Sequence, residues 1–218
     1  MISHKLKYIF IHIPKTGGNS LHNFLKDSSD NPILIGKNSW GSKDKVEVFK
    51  EECVNHPKDW NIKHEGIQYY YRYYNDKLVN NYIKFSIIRN PYDRAISFYF
   101  FKKTKKHPDF NKKEFISFLT TAKLFNPPKQ IQNLHALQKN QVDYLMFEGK
   151  MSMDYIIKLE NLKEDLNKIP FIKEMNLDSY PHINSSKRSH YRDYYDNETK
   201  SLVEKIYKKD FDYFNYKF

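Results

Sequence analysis

Cysteine is almost missing: Cys53 stands alone in 218 residues. That excludes an intrachain disulfide framework and any zinc or iron–sulfur site built on several thiolates. Glycine is scarce at 6 residues and proline reaches 9, and no glycine- or proline-rich linker or internal repeat divides the chain. No apolar run approaches the roughly 18–20 residues that a membrane-spanning helix needs. The first one, Tyr8-Ile9-Phe10-Ile11-His12-Ile13, is too short for a signal-peptide core and carries a histidine. These absences predict a single soluble domain over residues 1–218, in a reducing compartment such as the cytoplasm.

Charge and aromatic rings are what the chain has in excess. Lys and Arg number 37 against 26 Asp and Glu, a formal charge of +11, and mean hydropathy is −0.82. Yet there are 18 Tyr and 16 Phe, and disordered chains are poor in rings. A core of rings and aliphatics is therefore expected. The cationic surplus calls for an anionic partner: nucleic acid, phosphate esters, acidic glycans or a membrane surface.

Periodicity gives alternating strands and helices. Tyr8 to Ile13 reads as a buried strand ended by Pro14, and Ser20 to Leu25 carries Leu21, Phe24 and Leu25 at helical spacing. A short strand is expected at Ile33-Leu34-Ile35. Helical patterns cover Glu65–Tyr74, Tyr92–Phe101, Lys113–Thr120, Glu160–Lys168 and Asn197–Lys208, and further strands Tyr82–Ile88 and Met153–Leu159. This order is that of an α/β fold with a parallel sheet.

Two stretches carry chemistry. In Ile13-Pro14-Lys15-Thr16-Gly17-Gly18-Asn19-Ser20, two of the six glycines sit side by side between a strand and a helix. Such a turn brings backbone N–H groups to the positive end of a helix, Lys15 adds a cation, and Thr16, Asn19 and Ser20 add short donors. A tight turn with a solvated lysine is the plain alternative; the strand and helix on either side favour an anion cradle. The order is not that of the nucleotide-binding P-loop, where the lysine follows the last glycine. In the second stretch, Arg89 follows a strand end and Ser97 lies two helical turns on, within Arg89-Asn90-Pro91-Tyr92-Asp93-Arg94 and onward. The planar fork of Arg89 suits a phosphate; a salt bridge at the sheet edge is its alternative. Asp93 and Arg94 are expected to be structural, pairing near the helix start.

Together the two stretches resemble the carbohydrate sulfotransferase family, the branch of heparan and chondroitin sulfotransferases and many bacterial relatives. The likeness runs on through Phe147, Glu160-Asn161-Leu162, Pro181-His182-Ile183-Asn184-Ser185-Ser186-Lys187, Tyr194-Tyr195 and Leu202 to Phe214, nearly the whole chain. It implies a P-loop-like three-layer fold, a central parallel sheet flanked by helices. It also implies 3′-phosphoadenosine 5′-phosphosulfate (PAPS) as donor, with the product PAP left behind. By the resemblance, Lys15, Thr16, Gly17, Gly18, Asn19 and Ser20 form the 5′-phosphosulfate loop, with Lys15 at the bridging oxygen. Arg89 and Ser97 bind the 3′-phosphate, and Asn184, Ser185, Ser186 and Lys187, with Arg188 nearby, close over the donor. Asn19 departs from the Thr or Ser usual in relatives. The implied acceptor is a hydroxyl of a carbohydrate, a polysaccharide or glycolipid, anionic in some relatives; no nucleic-acid partner, metal or integral membrane segment is expected.

The resemblance also asks for a base between the two motifs, a place where His64 and Glu65 both stand. An imidazole with a pKa of about 6.5 accepts a proton near neutrality without tuning, which favours His64. His12 is expected to be structural or to support a neighbour; His56, His107 and His135 solvated; His182 to line the site. The lysine run Lys102, Lys103, Lys105, Lys106, Lys112 and Lys113 is a solvated face or a guide for a polyanionic acceptor. Gln138, Asn140, Gln141 and Tyr144 are candidate acceptor ligands. A phosphate-cradle kinase of a small metabolite and a basic, non-catalytic nucleic-acid-binding module are the competing readings.

Overall fold

Runs of β-branched and aromatic residues too short to span anything form the middle of a sheet. The computed structural model describes residues 1–26, 64–102, 109–120, 139–181 and 188–218. The strand expected at 33–35 and the loop 184–187 lie outside them. In chain order the described elements are β1 (Ile2–Ser3), β2 (Tyr8–Ile11), α1 (Gly18–Leu25), α2 (Ile67–Tyr73), α3 (Asp76–Asn81), β3 (Ile83–Ile88), α4 (Pro91–Lys102), α5 (Lys112–Thr120), α6 (Val142–Leu145), β4 (Met146–Phe147), β5 (Lys150–Met151), β6 (Tyr155–Lys158), α7 (Leu162–Leu166), α8 (Pro170–Lys173), α9 (Asn197–Ile206) and α10 (Lys208–Phe214). The chain divides into two compact units, Met1–Ile88 with Asp143–Ile183, and Arg89–Val142 with Asn184–Phe218.

The first unit holds the sheet, of order β1-β2-β3-β6 among the described residues. β2, β3 and β6 are mutually parallel and β1 is antiparallel at the edge, which gives the α/β architecture with a mostly parallel central sheet. Alternate residues point to opposite faces. Tyr8 and Phe10 of β2 and Phe85 and Ile87 of β3 join Leu21 and Leu25 of α1, Leu166 of α7 and Ile172 of α8 in one cluster. On the other face the Lys84 amine, 7% exposed, donates to the carbonyls of Val79 (3.3 Å) and Tyr82 (2.9 Å) beside α3 and pairs with Asp154 at 3.1 Å. Helices thus flank both faces, and a strand covered on both sides reads as an unbroken apolar run. β2 stops at Ile11 rather than Ile13, because His12 and Ile13 turn out of the ladder although both remain buried.

The second unit is helical. Asn90 caps α4: its side chain accepts from the Tyr92 N–H (3.0 Å) and its carbonyl from Arg94 (2.8 Å), with Pro91 as first helical residue, where no N–H is needed. Tyr92, Ala95, Ile96 and Tyr99 of α4 pack with Phe115, Phe118 and Leu119 of α5 and Val203 of α9. Asp196 and Thr199 form a reciprocal capping box that starts α9. No helix among the described residues is long and apolar enough to cross a membrane.

Candidate active site

After β2 the chain turns through the glycine pair into α1. Lys15 and Gly17 both take positive φ, 70° and 88°, with Thr16 at negative φ between them. That alternation turns successive N–H groups to one side of the backbone, the pattern of an anion-binding nest. It opens directly onto the N-terminus of α1, where the Gly17 carbonyl accepts from Ser20 (3.0 Å) and Leu21 (3.3 Å). Helix geometry leaves the earlier N–H groups without an intrahelical acceptor and adds the positive end of the dipole. Thr16 is fully buried, and its hydroxyl donates to the Ile13 carbonyl at 2.9 Å. Its proton therefore holds the turn, and what the residue offers a ligand is its main-chain N–H.

Gly18 has a different reason to be glycine. A Cβ there would lie 2.2 Å from Cδ2 and 2.3 Å from Nε2 of His12. The imidazole of His12, 6% exposed, occupies the place a side chain at 18 would take. The same ring meets that of His64 edge-on, centroids 4.7 Å apart, and the His12 carbonyl lies 3.0 Å from Nδ1 of His64. A carbonyl only accepts, so Nδ1 carries the proton and the neutral His64 ring has its basic lone pair on Nε2. His12, expected to be structural, is the physical link between the glycine loop and the candidate base. Glu65 lies near Tyr70: burial first, and the Glu65 carboxylate second, push the Tyr70 hydroxyl well above its ordinary range.

In the second unit, Arg89 follows β3 in sequence and is held from two directions. Its N–H donates to Oε1 of Gln141 (2.9 Å) and its carbonyl accepts from Nε2 of Gln141 (2.8 Å). Nε and Nη2 of its guanidinium reach Oδ2 of Asp93 at 2.8 and 2.7 Å. The other Asp93 oxygen accepts from Nη2 of Arg188. Ser97 stands one turn beyond Asp93 on α4, half-buried and on the same helix face. Asp93 is paired near the helix start as expected, with Arg89 and with Arg188.

Gln141 is itself fixed by Asp210, which is fully buried and accepts from the N–H groups of Gln141 (2.9 Å) and Val142 (3.0 Å) and from the Gln141 amide (3.2 Å). Burial raises the Asp210 carboxyl above its usual range, with the Arg94 charge and these N–H groups pulling the other way. Arg94 is also fully buried, 5.2 Å from the Phe98 ring centroid and 5.6 Å from that of Tyr207, and it donates to the Lys139 carbonyl.

The structure therefore brings Lys15, Thr16, Gly17, Gly18, Asn19 and Ser20 together with His64 in the first unit, and Arg89 with Ser97 in the second. Asn184, Ser185, Ser186, Lys187 and His182 lie outside the described residues, as do Gln138, His56, His107, His135 and Lys103–Lys106. Gln141 does not fit its expected role as an acceptor ligand: it is buried, with its amide turned to Arg89 and Asp210. Tyr144 is 2% exposed. Lys112, expected in a solvated or glycan-guiding face, is ion-paired with Asp196 and with Glu198 at 2.7 Å. The sequence reading passed over Gln141 and Asp210 as supports of Arg89, since their contacts span 52 and 69 residues. For Asp93 the signal was present, four residues after Arg89 at a helix start.

Comparison with curated proteins and with solved structures gave no match. A family model described as the sulfotransferase family matches residues 1–217. With an α/β sheet whose first strand runs into a glycine turn and a helix, and with that match over nearly its full length, this chain belongs to the sulfotransferase family, enzymes that transfer a sulfuryl group.

Proposed function

We propose that the chain moves the sulfuryl group of PAPS to a carbohydrate hydroxyl. The observation that carries the reading is the positive-φ pair Lys15 and Gly17 at the head of α1, with His64 tied to the same loop through His12. The residues suit the donor: the nest and the Lys15 ammonium for a phosphosulfate, and the Arg89 fork with the Ser97 hydroxyl for the 3′-phosphate. PAPS supplies a sulfuryl group on a phosphate leaving group. His64 takes the acceptor proton at Nε2, while Nδ1–H stays on the His12 carbonyl and fixes the ring's tautomer. In this reading Lys15 and the N–H groups at the head of α1 stabilise the charge that grows on the bridging oxygen. A sulfuryl group carries less charge than a phosphoryl group, so these donors do the work that a metal and a later lysine share in nucleotide P-loops.

The charge of +11 supports an acidic glycan as this acceptor, since it would attract one over long range. The test is thermal stabilisation by ligands followed by a glycan screen. PAP should stabilise the chain without metal, and PAPS with the right glycan should give a product heavier by one sulfate group. Stabilisation by ATP that requires magnesium, with indifference to PAP, overturns the reading.

A further inference from the structure

Asp93 is a half-buried carboxylate flanked by two arginines from distant parts of the chain. Both donors of Arg89 converge on Oδ2 and Arg188 takes Oδ1, with side-chain exposures of 16%, 21% and 10% for Arg89, Asp93 and Arg188. Two cations this close repel, and the carboxylate between them offsets that repulsion. Arg188 is fixed from behind: the next residue, Ser189, donates its N–H to the Tyr194 hydroxyl at 2.9 Å, and the Tyr194 ring packs on Phe100 (5.2 Å) and Phe110 (5.0 Å). Arg89 is fixed through Gln141 and Asp210. One acid thus gathers two planar forks, each anchored by its own backbone, on the helix face that carries Ser97.

We infer that Asp93 is a positioning residue that holds Arg89 and Arg188 as a paired site for a phosphate dianion, and so sets the preference for a nucleotide bearing a 3′-phosphate over one without it. This rests on the proposed donor. Asp93 offsets one of the two arginine charges and sets the donor directions of both forks. Asp93 touches no ligand; it acts through the arginines.

The experiment is calorimetric binding of PAP and of adenosine 5′-monophosphate, which lacks the 3′-phosphate, to the full chain and to Asp93→Asn. The amide keeps one acceptor oxygen but turns an N–H₂ to the other arginine, releasing one fork. The PAP-to-AMP affinity ratio should fall on the order of tenfold or more, the worth of a charge-assisted hydrogen bond, with AMP affinity unchanged and Asp93→Glu restoring part of the ratio. A ratio unchanged or raised, or an equal loss of both ligands, overturns the inference. If Asp93→Asn does not fold, Arg188→Gln carries the test, with the same expected fall and the same contrary result. A wild-type chain that binds PAP no better than AMP removes the donor reading itself, and this inference with it.

Discussion

Replacing Gly18 with Ala is a small change that the geometry makes expensive. The new Cβ would stand 2.2 Å from Cδ2 of His12, against 3.4 Å for an ordinary contact. The ring has little room to retreat, being 6% exposed, with the Phe10 ring centroid at 5.8 Å and that of His64 at 4.7 Å. Overpacking of this kind costs about 1–3 kcal/mol. Alanine returns at most about 1 kcal/mol in helix propensity, and less in a first turn. Gly18→Ala should therefore lose about 1–2 kcal/mol in urea unfolding, and turnover should fall as well, because the backbone of His12 holds His64. In a His12→Ala background the overlap is gone, and the same substitution should be neutral or slightly stabilising. The coupling between the two sites should thus reach about 1–3 kcal/mol. Equal destabilisation by Gly18→Ala in both backgrounds would refute the steric account of this glycine.

Three further outcomes follow from the same geometry. Asp210→Asn places an amide N–H₂ against the N–H groups of Gln141 or Val142 and removes the negative charge near the buried Arg94; stability should fall by about 1–3 kcal/mol in denaturant unfolding, the cost of a buried donor left unsatisfied. Because burial raises the Asp210 carboxyl, the folded chain keeps this proton at a pH where the unfolded chain has lost it, so this group's contribution to stability falls as pH rises from about 4 through the raised value. The wild type should show that slope from about pH 4 upward relative to Asp210→Asn, whose curve should be flatter there. His64→Gln should lower kcat about 10²- to 10⁴-fold with PAP affinity retained, the range for loss of a general base; a kcat within twofold of wild type would return the role to Glu65.

Much of this was legible in the sequence because the informative segments are long or chemically marked. β2 and β3 are runs buried on both faces, α4 begins at an Asn-Pro pair, and the glycine turn sits between a strand and a helix. What escaped was short or distant. β1 and the β4–β5 hairpin are two-residue strands, below the length at which alternation can be seen, and the hairpin turns through Glu148 and Gly149, both at positive φ, rather than through an Asn-Gly pair. α3 was missed although Asn75 caps it, its side chain accepting from the Lys77 N–H at 2.8 Å. The supports of the site were hidden for another reason. Gln141 and Asp210 act through hydrogen bonds that close only after folding, and Gln141, polar and beside Asn140 in sequence, has the marks of a ligand while its amide is spent on the backbone of Arg89. The role of His12 was hidden within an apolar run, where its ring shapes the space beside Gly18.

If the loop at the head of α1 stabilises sulfuryl transfer from PAPS, Lys15→Ala should slow that transfer without unfolding the chain. With PAPS and an acceptor glycan found by screening, sulfated product followed by mass should form on the order of 10²-fold more slowly or worse than with wild type, the scale for losing one oriented donor to a developing oxyanion, while the melting temperature changes little. Wild-type turnover by Lys15→Ala, with the chain still binding PAP, would contradict it.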